Sequence, residues 1–231
     1  MIVSTFNIQN DFKKYKKTKS YEIYQYLTKN NIDILGLQEV FYMCNYDLKK
    51  LIKHSFFMKG KYRFFLKIIH LTSNEKTPII SKHKVVSHKT YHLPYRPSPL
   101  KRVLTNMVID YNGKLISVYN THLESELDSV KQKQLNMILD IIYNDNLPKI
   151  IMGDFNLKND HPLLKNFIDK LNSLNIKRVP VEENTFKMAK SNKAIDHIFI
   201  GDEFEINSFE VIKTISISDH YPILVNLKIK K

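Results

Sequence analysis

The sequence offers almost no sulfur chemistry. Cys44 is its single cysteine, so an intrachain disulfide and a cysteine-based zinc site are both excluded. Glycine is scarce as well, with five in 231 residues, and neither GxGxxG nor GxxxxGK followed by Ser or Thr occurs. The nucleotide-cradling folds built on those loops are set aside. No apolar run approaches a membrane span, and the opening MIVSTFNIQND lacks the basic flank and apolar core of a secretion signal. The expectation is a cytoplasmic protein, monomeric and without stable membrane insertion.

Positive charge is what the chain has in excess. Lys and Arg number 36 against 23 acidic residues, a formal net charge of +13. Such a surface favours polyanions: nucleic acid, phosphorylated small molecules or anionic lipid. Hydrophobic content of 43% supports a large core, and no linker or repeat divides the chain, so residues 1–231 are read as one domain.

Strands are expected over 2–8, 33–40, 62–70, 78–81, 84–92 and 206–213, and in KIIMGD, AIDHIFI and YPILVNLKI. Asn112-Gly113 between two β-rich runs predicts a two-residue hairpin turn. Helices are expected over 18–30 with Tyr21, Tyr24 and Leu27 on one face, and over 47–57. Another is expected over 126–143, with Leu127, Val130, Gln134, Ile138 and Ile141 inward. A last helix follows Asp160-His161-Pro162, with Leu164, Phe167, Ile168 and Leu171 inward; Asp160 can cap it and Pro162 fits its first turn. Hairpins mixed with strand–helix–strand units argue for helices outside two packed sheets.

Polar residues interrupt the apolar strands at recurrent points: Asn7, Glu39, His122, Asp154 with Asn156, Asp196 with His197, and Asp219 with His220. Buried charges are rarely left without partners or a metal, and strand ends are where layered α/β enzymes gather catalytic groups. Hard oxygen donors such as Glu39, Asp219 and an Asn carbonyl suit Mg²⁺ or Mn²⁺. Metal, His and Asn together stabilise a phosphoryl transition state, and an Asp near the phosphate activates water. Asp154 and Asn156, two apart on an extended segment, are expected to point together while Phe155 faces the packing.

The series STFN, LGLQEV, NTHLES, IMGDFNL, AIDHIFI and ISDHYPILVNL resembles the motifs of the endonuclease/exonuclease/phosphatase superfamily of metal-dependent phosphoesterases, in order, from Ser4 to Leu227. The resemblance implies a four-layer α/β sandwich, two central mixed β-sheets flanked by helices. It implies Glu39 as the main metal ligand with Asn7 and Asp219 near the metal. His122 would contact the scissile phosphate or protonate the leaving oxygen. Asp154 would orient or deprotonate water, and Asn156 would hold Asp154 and the phosphate. His220 would bind phosphate or act as a base, its tautomer set by Asp196. Many DNA-repair members carry an Asp two residues after the first Asn, where this chain has Gln9, so one tightly held Mg²⁺ (or Mn²⁺) is expected. His197 stands where members often carry Tyr or Arg.

The segment KRVLTNMVIDYNGKLISVYNTHLES, with KQKQLNMIL beyond it, is similar to tyrosyl-DNA phosphodiesterases and includes Arg102, a candidate phosphate contact. Tyr95, Arg96, Lys101 and Arg102 interleave aromatic and cationic groups suited to bases and backbone phosphates, and five lysines between Asp11 and Tyr21 form a second basic stretch. The expected activity is hydrolysis of phosphodiesters, foremost in DNA. A phosphoesterase for phospholipid or small phosphorylated headgroups, and a non-catalytic nucleic-acid-binding module on the same scaffold, are the alternatives.

Overall fold

The computed structural model describes residues 1–9, 17–40, 47, 63–65, 77–95, 101–188 and 194–230. In the first sheet, β1 (Ile2–Asn7) pairs antiparallel with β12 (Ile223–Ile229) and parallel with β2 (Ile34–Gln38). The sheet extends from β2 to β4 (Ile79–Ser81) and β3 (Arg63–Phe65), and from β12 to β11 (Phe204–Val211). The second sheet runs β5 (Lys84–His92), β6 (Val103–Tyr111), β7 (Lys114–His122), β8 (Lys149–Asp154), β10 (Asp196–Gly201) and β9 (Ile176–Arg178).

The two sheets are built alike. Each has one parallel pair at its centre, β1 with β2 and β7 with β8, flanked by antiparallel neighbours. Parallel neighbours need a crossover. Here α1 (Lys17–Lys29) lies between β1 and β2, and α2 (Asp128–Tyr143) between β7 and β8. A third helix, α3 (Pro162–Asn172), follows β8. Asn112 and Gly113, at φ of 53° and 86°, make the two-residue turn between β6 and β7.

Alternation along the strands sorts the core into three apolar layers. Val3, Ile34, Met107, Val118, Ile150 and Ile198 belong to the layer between the sheets. Leu27 and Ile23 of α1 cover the outer face of the first sheet, and Ile138 of α2 with Phe167 of α3 cover that of the second. The result is a multi-layer α/β sandwich. The expected helix over 47–57 lies outside the described residues apart from Asp47.

Two helices bury a stripe that only partly matches the one expected: Leu27, Gln134 and Ile138 are inward as expected, and other positions differ. In α1 the inward residues are Ser20, Ile23, Tyr26 and Leu27, while Tyr21 is 52% exposed. The Tyr26 hydroxyl stays buried because it hydrogen-bonds Ser4 Oγ at 2.8 Å. In α2 the buried residues are Lys131, Gln134, Leu135, Ile138 and Ile142, and Leu127 becomes the exposed N-cap. The helix starts two residues later than expected, and Val130 and Ile141 are only partly buried. His161, not Asp160, caps α3: its Nδ1 accepts from the Leu163 N–H at 3.2 Å.

Candidate active site

The C-terminal ends of both central parallel pairs open on the same end of the sandwich. Asn7 ends β1 and Glu39 follows β2; His122 ends β7 and Asp154 ends β8. Asp196, opening β10, lies opposite Asp154 in register. The segment before β12 adds Ser218, Asp219 and His220.

Asp154 is the focus of the cluster. Its carboxylate is buried, and Oδ2 receives Asn7 Nδ2 at 2.9 Å, with His122 Nε2 at 3.4 Å and His220 Nε2 at 3.8 Å. Oδ1 accepts the Asn156 N–H at 2.9 Å. Burial alone would raise the Asp154 pKa, but the imidazoles of His122 and His220, the Asn7 amide and the Asn156 N–H outweigh it and hold the carboxyl below its ordinary value.

His220 bridges two carboxylates. Its Nδ1 lies 2.9 Å from Asp196 Oδ2 while Nε2 faces Asp154. Burial works against the cation, yet Asp196, Asp154 and Asp219 together push its pKa up to about 10. Asp196 is driven upward by its own burial and by Asp154. The pair thus shares one proton across the 2.9 Å contact. We assign it to His220, because Asp196 and Asp154 flank that ring and Asp219 adds a third negative charge nearby.

Backbone geometry is specialised at this end. Glu39 and Asn156 have φ of 56° and 51°, left-handed values unusual outside glycine. The Asn156 conformation differs from the extended segment expected there: the chain turns sharply, and Asn156 Nδ2 bonds the Leu123 carbonyl at 3.0 Å. Phe155 does face the packing, with Phe167 and Phe199 rings at 5.9 and 5.3 Å. Gly153, at φ 149°, sits against β7 so tightly that a Cβ would lie 2.0 Å from the Thr121 carbonyl oxygen.

Asn7 presents nitrogen, not oxygen, to the acidic groups. Its Oδ1 accepts the Gln9 N–H at 2.9 Å, which fixes the amide and aims Nδ2 at Asp154 and, at 3.1 Å, Glu39 Oε1. The expected metal-side carbonyl is therefore turned away and occupied. Arg102, expected to touch phosphate, is 7% exposed and donates from Nη1 to His122 Nδ1 at 2.9 Å. Arg96 lies outside the described residues. Tyr95 and Lys101 are exposed, with Lys101 Nζ 5.7 Å from the Tyr95 ring centre. Gln134 ties this segment to the site: it bonds the Pro94 carbonyl and accepts the Glu124 N–H, two residues past His122. His197 is buried, Nε2 bonded to the Leu157 carbonyl at 2.8 Å, and burial pulls its pKa down to about 4.

Several supporting residues were not singled out from the sequence. Gln38 Nε2 bonds Thr5 Oγ1 and, at 2.7 Å, Asn120 Oδ1; Asn120 Nδ2 bonds the Leu37 and Pro78 carbonyls. This chain crosses from sheet to sheet beneath the site. The sequence did carry a signal, since Gln38 and Asn120 interrupt apolar strands. Ser218 Oγ donates to the Asn7 carbonyl at 2.7 Å and accepts the His220 N–H. The Thr185 Oγ1 accepts the Ile195 and Asp196 N–H groups, and the Phe186 ring lies 4.9 Å from that of His220.

Among the described residues, Asp154, Asp196 and His220 bring ligand-type atoms within 4.8 Å of one another. Both His220 nitrogens face the carboxylates, so the imidazolium itself serves as the cation there. Glu39 and Asp219 add two further carboxylates at this end, both partly accessible. Hard oxygen donors in excess of the local cations fit a divalent ion.

The sequence model of the Endonuclease/Exonuclease/phosphatase family matches residues 4–220. None of the curated proteins matches the sequence significantly. Among solved structures, the chain is similar to the mannosyl-6-phosphatase Bt3783 of Bacteroides thetaiotaomicron, at 19% identity, TM-score 0.80 and 99% coverage of both chains. An endonuclease/exonuclease/phosphatase from Bacteroides vulgatus gives 20% identity and TM-score 0.82, over 99% of this chain and 98% of that one. A humanized D. rerio TDP2 gives 17% identity and TM-score 0.75, again over 99% and 98%. With the fold, the strand-end cluster and the family match in agreement over nearly its whole length, the chain belongs to the endonuclease/exonuclease/phosphatase family of phosphoester hydrolases.

Proposed function

We propose that this protein is a Mg²⁺- or Mn²⁺-dependent phosphodiesterase that hydrolyses DNA, as a nuclease or in processing DNA ends such as removal of a 5′ tyrosyl group. The observation that carries the reaction is the Asp154 carboxylate, held ionised between Asn7, His122 and His220 at the mouth of the sandwich. The substrate class rests on the +13 charge, the likeness of the hairpin-to-helix segment to tyrosyl-DNA phosphodiesterases, and the fold shared with TDP2.

Glu39 and Asp219 would hold the ion, with Asn7 bracing Glu39 through its amide nitrogen. When bound, the ion would supply Lewis-acid stabilisation of charge on the phosphoryl group. Asp154, a weak base because its pKa is depressed, would accept a hydrogen bond from the attacking water and aim it. The His220 imidazolium, steadied by Asp196, would bind a phosphate oxygen. Asn156 would fix Asp154 through its backbone N–H. Tyr95, Lys101 and the segment through Arg96 would lie along the nucleic-acid path. Activity on one chain, as a single monomeric domain, completes the reading.

The test is a panel of plain, abasic and 5′-tyrosyl DNA, RNA, phospholipid and sugar phosphate with Mg²⁺ or Mn²⁺. Cleavage of a DNA substrate, lost in Glu39→Gln and Asp154→Asn, is the expected result. Turnover of lipid or sugar phosphate with none on DNA would overturn the substrate class. Salt-sensitive DNA binding without turnover of anything would overturn the enzyme reading.

A further inference from the structure

We propose that Arg102 is a positioning residue that locks His122 as a neutral imidazole with its proton on Nε2, so that His122 donates a hydrogen bond at the site but transfers no proton. The argument starts from what a guanidinium is: five N–H donors and no acceptor, charged at every accessible pH. Arg102 Nη1 lies 2.9 Å from His122 Nδ1. Two donors at that distance repel, so Nδ1 must be the accepting, unprotonated nitrogen. The ring proton is then on Nε2, and Nε2 is the nitrogen that faces Asp154 Oδ2 at 3.4 Å. A doubly protonated ring would set an Nδ1 proton against the guanidinium, so His122 steadies the Asp154 carboxylate as an Nε2–H donor and not as a cation.

Burial makes the arrangement durable. His122 is 4% exposed and Arg102 7%, so water is poorly placed to substitute for either partner. Arg102 is anchored from its backbone as well, its carbonyl accepting the Leu93 N–H at 3.0 Å just before β6. His122 is held by the last pairing of β7 with β8, opposite Asp154. The two side chains therefore meet through fixed strand ends.

The consequence separates two roles that the family resemblance left open for His122. A neutral ring with a proton only on Nε2 would become an anion on giving it away, which makes it a poor general acid. It is well suited to donate a hydrogen bond, to Asp154 in the free site and to a phosphate oxygen that comes within reach of Nε2. This selection rests on the phosphoesterase reading for the phosphate, but the tautomer does not.

The experiment therefore reads the tautomer without substrate. Nitrogen-15 spectra of the whole protein, with His122 identified among the nine histidines by comparison with His122→Gln, distinguish a protonated from a bare ring nitrogen. The expected pattern is a bare Nδ1 and a protonated Nε2. A protonated Nδ1, or protons on both nitrogens, would overturn the proposal even if DNA is cleaved. Arg102→Lys keeps an obligate donor and should keep the pattern, with kcat within about threefold. Arg102→Gln, which can also accept, should mix the tautomers and lower kcat by about 10²-fold, as loss of a hydrogen-bond donor to transition-state charge does, with a smaller change in KM. Equal kcat and tautomer in wild type and Arg102→Gln would refute the role of Arg102. Should either variant fail to fold, the wild-type spectrum alone decides the tautomer.

Discussion

Asp154 Oδ2 gathers donors from three separate strands or segments, and that makes the charge on Asp154 hard to replace. In Asp154→Asn the new amide would confront the Asn7 Nδ2 or give up the Asn156 N–H. Turnover should fall by about 10²–10⁴-fold in steady-state assays while circular dichroism stays native. His197 makes a prediction of the opposite kind, about stability. Its pKa falls from 6.5 unfolded to about 4 folded, because the buried ring excludes a charge. The unfolded chain thus takes up a proton first as pH drops. Stability is complete above about pH 6.5 and declines until about pH 4, by about 3 kcal/mol from this group. Urea midpoints measured across that window should slope upward with pH, and the slope should shrink in His197→Gln.

The strand–helix–strand units, β1–α1–β2 and β7–α2–β8, deliver candidate site residues at equivalent places, Asn7 with Glu39 and His122 with Asp154. At the second of these ends the close approach of β7 to β8 leaves no room for a side chain at Gly153. Gly153→Ala should cost at least about 2 kcal/mol in chemical denaturation and lower activity as well, because it displaces Asp154. On the outer face, Phe167 of α3 packs against Phe155 and Phe199; Phe167→Ala should cost about 3–5 kcal/mol with less effect on turnover. Much of this architecture was legible in the sequence. Apolar runs stopped by Asp154, His122 or Glu39 mark strand ends, and Asn112-Gly113 marks a hairpin, because each signal is local. The inward stripes of α1 and α2 are legible only in part, at Leu27, Gln134 and Ile138, because adjacent stripes of Tyr, Leu and Ile are almost equally apolar and only the partner sheet chooses among them. The Arg102–His122 and Gln38–Asn120 contacts span 20 and 82 residues, and no local pattern announces which polar side chains will meet.

Taken whole, the molecule sets an acidic strand-end cluster within a chain of net charge +13. An ion bound there should stabilise the fold in proportion to its occupancy. Mg²⁺ should raise the melting temperature of the wild type, and the rise should be much smaller in Glu39→Gln; an equal shift in both would place the ion elsewhere. Among the described residues, no helix is long and apolar enough to cross a membrane. The cluster also depends on the most distant parts of the chain. Asn7 meets Asp154 across 147 residues, Ser218 reaches Asn7 across 211, and β12 closes on β1. Synthesis supplies these pieces in order, and the pieces that hold Asn7 and bring His220 come last. A nascent chain therefore has no assembled centre until β12 has left the ribosome and found β1.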